Sequence, residues 1–234
     1  MRNITVIFQK QIKDTFKNKE VLIQYVMFPI MALIMEKLVK VEELPQNYFV
    51  NLFSSMYVGM APLVSVAAVI SEEKEKNTLR VLMMSGVKPS EYLLGIGIYI
   101  WTVCMAGALF LGMTGSYRGS ELAVFLGIMA VGILASMLIG AAIGTLSRNQ
   151  MMATSLTVPV MLVFAFLPMI ATFNENIKKI AKIAYSEQIN ILIGRIGTSS
   201  VSFESVFVIG INMLIALLIF RYAYRKCGLT EGNS

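Results

Sequence analysis

The sequence has 234 residues, of which 56% are hydrophobic and 15% are charged, and its formal net charge is +6. Ordinary soluble domains carry about 25% charged residues, so this composition argues against a soluble enzyme and for a membrane protein. With no histidine and only two cysteines, the chain also offers little material for acid–base catalysis, metal binding or a disulfide framework.

Long uncharged runs define the organisation of the chain. Four runs of 26 to 28 residues cover 44–71, 92–117, 122–147 and 149–174, and two shorter runs, 21–35 and 205–220, flank them. A bilayer is crossed by ~20 apolar residues, and charged side chains at the end of a short run can reach the interface and extend it. We therefore predict an all-α integral membrane protein with six transmembrane helices, in which residues 1–234 form a single domain.

The first predicted element, residues 1–19, precedes the spans. Ile4, Phe8, Ile12 and Phe16 follow one another at i, i+4 spacing, with lysines on the other faces. This pattern predicts an amphipathic helix that lies in the cytoplasmic interface, and a helix packed on a partner protein is the alternative.

The six spans are predicted at about residues 20–38, 48–70, 92–114, 122–146, 153–173 and 205–224. In the fourth span, Gly140 and Gly144 form a GxxxG pattern that Ser136 extends by one turn. Small residues let helix backbones approach closely in lipid, so we expect packing within the bundle, with a dimer contact as the alternative. Pro159 and Pro168 are expected to bend or break the fifth span.

The segment between the last two spans, residues 174–204, has apolar residues at helical spacing in two stretches. It predicts two short extracellular helices, parted near Ser186 and Glu187, that lie on or dip into the outer leaflet.

Basic residues predict the orientation. With both termini inside, 13 of the 20 Lys and Arg residues fall in cytoplasmic segments and 7 fall outside, as the positive-inside rule requires. We predict a multi-pass protein of the cell membrane with cytoplasmic N and C termini. This topology accounts for the net positive charge without a nucleic-acid partner.

Motifs for energy conversion and catalysis are absent from the sequence. It contains no GxxxxGK[ST] loop for ATP phosphates, no HExxH and no GxSxG. The chain is therefore not expected to be an enzyme, and the energy for any transport must come from another protein.

The most charged stretch, residues 71–91, separates the second and third spans. Ser71 is placed to cap a helix whose first residues, Glu72 and Glu73, suit its positive N-terminal dipole. Gly86 is expected to end this helix in a left-handed conformation, and Pro89 to begin the next span.

The apolar residues of this predicted helix, Leu79, Leu82 and Met83, share one face, with Val81 and Met84 beside it. A helix of this kind lies flat on the membrane or inserts into a groove of a cytoplasmic protein. The residue pattern alone leaves both interpretations open.

This stretch resembles the loop after the second span of ABC-2 type transporter permeases, in which a charged start is followed by Gly-Thr-Leu, an apolar stretch, a proline and the third span. Asn77 stands where that family often has glycine, and Arg80 stands where an acidic residue is common. The order of interfacial helix, six spans and outer helices is also similar. The matching residues are Thr78, Leu79, Leu82, Pro89, Leu94 and Gly95.

The resemblance implies a permease subunit that pairs with a second copy, by default as a homodimer, and with two ATP-binding subunits. ATP and Mg²⁺ would bind to those subunits, with no cofactor in this chain. Residues 72–85 would form the coupling helix that contacts the ATPase. The residues implied for this role are Thr78, Leu79, Leu82 and Met83 as groove contacts, with Glu72, Glu73, Lys76 and Arg80 as a polar rim.

The expected substrate is an amphipathic or hydrophobic compound, such as a peptide toxin or bacteriocin, a drug or a lipid-like molecule, and export is the direction implied by the resemblance. Two other functions are kept as alternatives. One is a membrane scaffold or sensor that binds another cytoplasmic partner, and the other is a stand-alone channel or carrier.

Overall fold

The computed structural model describes residues 2–17, 19–39, 45–197 and 202–227, apart from a few side chains, Phe16 among them. In this part of the chain there are ten α-helices and no strand, which confirms the predicted all-α class. Residues 198–201 of the predicted outer segment lie outside the described residues. The helices are α1 Arg2–Lys17, α2 Lys19–Leu38, α3 Tyr48–Glu75, α4 Thr78–Met84, α5 Pro89–Thr114, α6 Gly119–Leu146, α7 Gln150–Phe173, α8 Glu175–Ala181, α9 Tyr185–Gly194 and α10 Phe203–Cys227.

Five helices of the described residues, α3, α5, α6, α7 and α10, are long and apolar enough to cross a membrane. The predicted first span coincides with α2, a helix of 20 residues, but α2 is not one of the five. Charged residues at both of its ends shorten its apolar stretch. The count of six spans therefore stays a prediction.

Helix α3 lies at the centre of the bundle and contacts α2, α5, α6, α7 and α9. Its side chains reach the core in every direction, and Tyr57, Leu63 and Ile70 are completely buried. The apolar faces of the surrounding helices are therefore organised around α3.

Small residues allow the backbones around α3 to come close. A Cβ atom on Gly140 of α6 would lie 3.1 Å from Leu63 Cα and would collide with the carbonyl oxygen of Leu63. A Cβ atom on Gly59 of α3 would lie 2.6 Å from the carbonyl carbon of Phe164 on α7, and Gly144 is similarly confined by α3. The prediction that the small residues of the fourth span serve packing within the bundle is confirmed.

The helix α7 runs without a break through Pro159 and Pro168, so the predicted break of the fifth span is wrong, and the bend stays a prediction. The point at which the outer helices part also differs from the predicted one. The outer helices part at residues 182–184 and not near Ser186 and Glu187, which lie within α9. Both of these polar side chains are buried in the bundle.

Helix α1 packs against α5. Its most buried side chains are Ile7, Gln11 and Thr15, and the predicted apolar residues Ile4, Phe8 and Ile12 are half-buried beside them. The two polar residues are buried because they have partners: Gln11 donates to Glu73 and Thr15 bonds Tyr99. The buried face of α1 is thus shifted by about one residue position from the face predicted with Ile4, Phe8 and Ile12.

The contact of α6 with α3 gives a first test. Gly140→Ala is expected to lower the unfolding free energy by about 1–3 kcal/mol, because the added methyl group meets a backbone that cannot move aside cheaply. The matched control is Gly127→Ala on the same helix, where a Cβ atom has nothing within 4 Å. It is expected to be neutral or slightly stabilising, since alanine favours a helix. The two variants are compared by thermal unfolding in detergent. An equal change in stability for both substitutions would contradict the close contact.

Candidate functional site

The charged stretch begins on α3. Ser71 does not cap a new helix as predicted but lies inside α3, where its hydroxyl donates to the carbonyl of Ala68. Helix α3 continues to Glu75, and the next helix begins only at Thr78. The predicted helix of residues 72–85 is therefore wrong in its first half, because the polar residues after the apolar run continue the same helix past the core.

Glu73 is the most buried charge of this region, with 8% of its side chain exposed. Its Oε1 atom accepts hydrogen bonds from Lys10 Nζ at 2.6 Å and from Gln11 Nε2 at 2.7 Å. A buried carboxylate requires a charged and hydrogen-bonded partner. Glu73, predicted as a rim residue for a partner protein, thus joins α3 to α1 of its own chain.

Glu72 forms an exposed ion pair with Lys76, at 2.5 Å between Oε1 and Nζ. The hydrogen bond that Lys76 donates to Glu72 holds the pKa of Lys76 above its usual value. The pair lies at the C-terminal end of α3, where a carboxylate alone would oppose the helix dipole, so the lysine offsets that repulsion.

The next two charges reach other helices. Lys74 Nζ donates to the carbonyl of Thr145, near the end of α6, at 2.7 Å. Glu75 Oε2 accepts from the backbone N–H of Gln150, the first residue of α7, at 2.8 Å. Residues 73–75 therefore connect the end of α3 to α1, α6 and α7 in turn.

Asn77 forms the sharp turn between α3 and α4. Its φ is 56°, in the left-handed region, and asparagine is one of the few residues other than glycine that adopt this conformation readily. The Thr78 hydroxyl donates back to the carbonyl of Glu73 at 3.1 Å and fixes the turn. Asn77 therefore adopts a left-handed conformation that glycine would also adopt readily.

Helix α4 turns its predicted contact face inward. Leu79 is 1% exposed, and Leu82 and Met83 are half-buried against the core of this chain. The exposed apolar side chains are Val81 at 60% and Met84 at 80%. The predicted role of these residues in binding an ATPase stays a prediction, but Leu79 is not accessible to a partner in this conformation.

The rest of the segment holds α4 in place. Gly86, with φ of 85°, ends α4 as predicted, and Val87 N donates to the Leu82 carbonyl in a Schellman arrangement. Pro89 begins α5, as predicted, and Glu91 accepts from the backbone N–H of Lys88. With the exposed Arg80 beside Val81 and Met84, α4 presents a small apolar surface with a basic edge.

A second polar cluster, which sequence reasoning missed, lies on α9. Tyr185, Ser186, Glu187 and Gln188 are all at most 4% exposed. The Tyr185 hydroxyl bonds the hydroxyl of Ser136 on α6 at 2.7 Å, and α9 also contacts α3, α7 and α10. The helix therefore does not rest on the outside of the bundle but is inserted among its helices.

Burial raises the pKa of Glu187 to about 7, although Asn190 and Lys178 act in the opposite direction. Its Oε2 atom is buried and has no hydrogen-bond partner among the described residues. The neutral carboxyl group is consequently favoured while α9 is inserted, and ionisation opposes insertion.

The Asn77 turn generates the next prediction. Asn77→Gly is expected to preserve the order of α4, whereas Asn77→Val is expected to cost about 1–2 kcal/mol locally, because a β-branched residue is strained at positive φ. Hydrogen exchange of the α4 amides measures the difference. Equal protection of α4 in both variants would contradict the left-handed turn.

Glu187 gives a pH-dependent prediction. Its folded pKa of about 7 lies above the usual value of 4.5 for a glutamate, so its contribution to stability is present below about pH 4.5 and is lost as the pH rises through 7. The wild type is expected to lose thermal stability relative to Glu187→Gln over this range, because glutamine stays neutral. Parallel pH profiles of the two proteins would contradict the burial of the carboxyl group.

Comparison with known proteins adds to this geometry. A family model described as ABC-2 family transporter protein matches residues 2–223. A search of curated proteins gives no match.

Proposed function

The chain belongs to the ABC-2 family of transporter proteins, and we propose that it is the permease subunit of an ATP-driven exporter. The family match and the five long apolar helices indicate a multi-pass membrane protein. Proteins of this family are transport components of the membrane and are not themselves catalytic. Membership implies association with an ATP-binding subunit. In the proposed arrangement that subunit lies against the end of the bundle that carries α4, which faces the cytoplasm.

The observation that carries the proposal is the exposed surface of α4. Val81 and Met84 are spaced by three residues, so they share one side of a helix whose other side is anchored by Leu79. Exposed apolar side chains held on a rigid support are typical of a helix that inserts into a groove. We propose that Val81 and Met84 make the apolar contacts with the ATPase, with Arg80 at the edge.

The connections of α3 support a route for the motion. Thr78 and Glu73 join α4 to α3, and α3 contacts α2, α5, α6, α7 and α9. A displacement of α4 by the ATPase would therefore be transmitted through α3 to most of the bundle. Tightly packed helices move as rigid bodies and not by continuous deformation.

The proposal includes the finer points predicted from the sequence. Two copies of this chain, with two ATPase subunits, would form the transporter, and α2 would be the sixth span, with its terminal charges at the interfaces. Both termini would then be cytoplasmic. The proposed cargo is an amphipathic or hydrophobic molecule, such as a peptide, a drug or a lipid-like compound.

The test is recovery of the ATPase from the native membrane in mild detergent, with tagged wild type and Met84→Asp compared. The wild type is expected to recover a protein with a Walker A motif, and Met84→Asp is expected to lose at least about 80% of it, since a buried unpaired charge opposes docking. Met84→Leu, which keeps the side chain apolar, is the matched control and is expected to retain the ATPase.

Leu82 is not substituted in this test, because its side chain packs against the core of its own chain. Recovery of the same ATPase by Met84→Asp would contradict the proposed contact. Recovery of a different cytoplasmic partner, with no ATPase, would favour a scaffold or sensor. Transport by this chain alone in liposomes without ATP would favour a channel or carrier.

A further inference from the structure

A groove lies between the end of α3 and the first three turns of α7. It has a volume of about 650 Å³ and is open to the surface, and volumes of about 300–1,000 Å³ are usual for small-molecule sites. Its lining residues are Glu75, Gln150, Met151, Thr154, Ser155, Val158 and Pro159. None of these residues belongs to α4 or to the proposed ATPase contact.

Three of the side chains that line the groove, Glu75, Thr154 and Ser155, present hydrogen-bond acceptors, and the Gln150 amide carries both donors and an acceptor. The Thr154 hydroxyl donates to the carbonyl of Gln150 at 2.9 Å, and the Ser155 hydroxyl donates to the carbonyl of Met151 at 3.0 Å. Both hydroxyl hydrogens are used within α7, so the hydroxyl oxygens are left with lone pairs. A ligand that supplies positive charge or donors complements this surface.

Glu75 is the charged residue of the groove. Its Oε2 atom accepts from the backbone N–H of Gln150 at 2.8 Å, and among the described residues it forms no salt bridge. The neighbouring Lys74 donates to Thr145 on α6, and Arg148 is exposed in the turn before α7 and does not line the groove. The groove therefore combines one carboxylate with acceptor hydroxyls.

The apolar part of the lining comes from Met151, Val158 and Pro159, all of which are exposed. Methionine adapts to ligands of varied shape. From the charge and the lining together we infer that this groove binds an organic cation with an apolar body, as the site at which substrate enters. This inference rests on the proposed transport function and narrows its substrate to amphipathic cations.

Two ions of the same shape and opposite charge test the inference. Tetraphenylphosphonium and tetraphenylborate are titrated into the full chain in lipid nanodiscs, with its ATPase if that copurifies, and binding to empty nanodiscs is subtracted. The wild type is expected to prefer the cation. Glu75→Gln keeps an acceptor for Gln150 N but removes the charge, and it is expected to reduce this preference about five-fold, which corresponds to an exposed ion pair.

Glu75→Lys is expected to reverse the preference. Glu175→Gln on α8, an exposed carboxylate at the opposite end of α7, is the matched control and is expected to leave the preference unchanged. Because Glu75 also accepts a hydrogen bond from α7, the thermal stability of each variant is measured as well. Ser155→Cys in a Cys227→Ser background gives an independent test. Tetraphenylphosphonium is expected to protect Ser155→Cys from a water-soluble thiol reagent.

The inference is overturned if wild type and Glu75→Gln distinguish the two ions equally, or if the cation gives no protection at position 155. Recovery of the ATPase together with either of these results would leave the proposed transporter intact and remove only the cation site. Protection by a copurifying protein in place of the small cation would assign the groove to a protein interface and would also overturn the inference.

Discussion

The close approach of the α3 backbone to α6 and α7 is the contact on which the rest of the structure depends. Lipid solvates apolar side chains well, so helices in a membrane gain little from hydrophobic burial against one another and associate through short-range packing. Gly140 and Gly59 remove the side chains that would separate the backbones. This places α3 deep enough for α2, α5, α6, α7 and α9 all to contact it, which is why Tyr57, Leu63 and Ile70 are completely buried.

The charges at the end of α3 follow from that central position. Successive residues of a helix point about 100° apart, so Glu73, Lys74 and Glu75 face different neighbours. Each finds a partner on a different helix, namely α1, α6 and α7. Residues 73–75, predicted as part of the helix that contacts the ATPase, instead connect helices of their own chain, and Glu75 also gives the groove beside α7 a negative charge.

The sequence predicted the core of the fold because long uncharged runs determine where apolar helices lie. The ends of α5, α6, α7 and α10 fall within a few residues of the predicted limits. The end of α3 was missed because the cap signal of Ser71 is equally compatible with a helix interior. The contact face of α4 could not be predicted either, since both sides of that short helix carry apolar residues, and only its position over the core decides that Leu79 turns inward. Burial of Glu187 was missed because polarity in a sequence does not show what surrounds a residue.

Glu187 and the α4 segment illustrate two different uses of polar groups. At the end of α3, Glu72 and Glu73 are paired with Lys76 and Lys10. Within α9, a carboxyl group and hydroxyls are inserted among apolar helices, where the hydrogen bond of Tyr185 to Ser136 offsets part of the cost.

The unbroken length of α3 has a mechanical consequence. At 1.5 Å per residue, a straight helix of 28 residues is about 42 Å long. If it pivots near its middle, a tilt of about 5° moves each end sideways by roughly 2 Å in opposite directions, by the same geometry. Asn51, on the first turns of α3, accepts a hydrogen bond from Tyr117 in the turn between α5 and α6. A displacement of α4 that tilts α3 in this way would strain that bond. Helix α3 would therefore couple the two surfaces of the membrane mechanically.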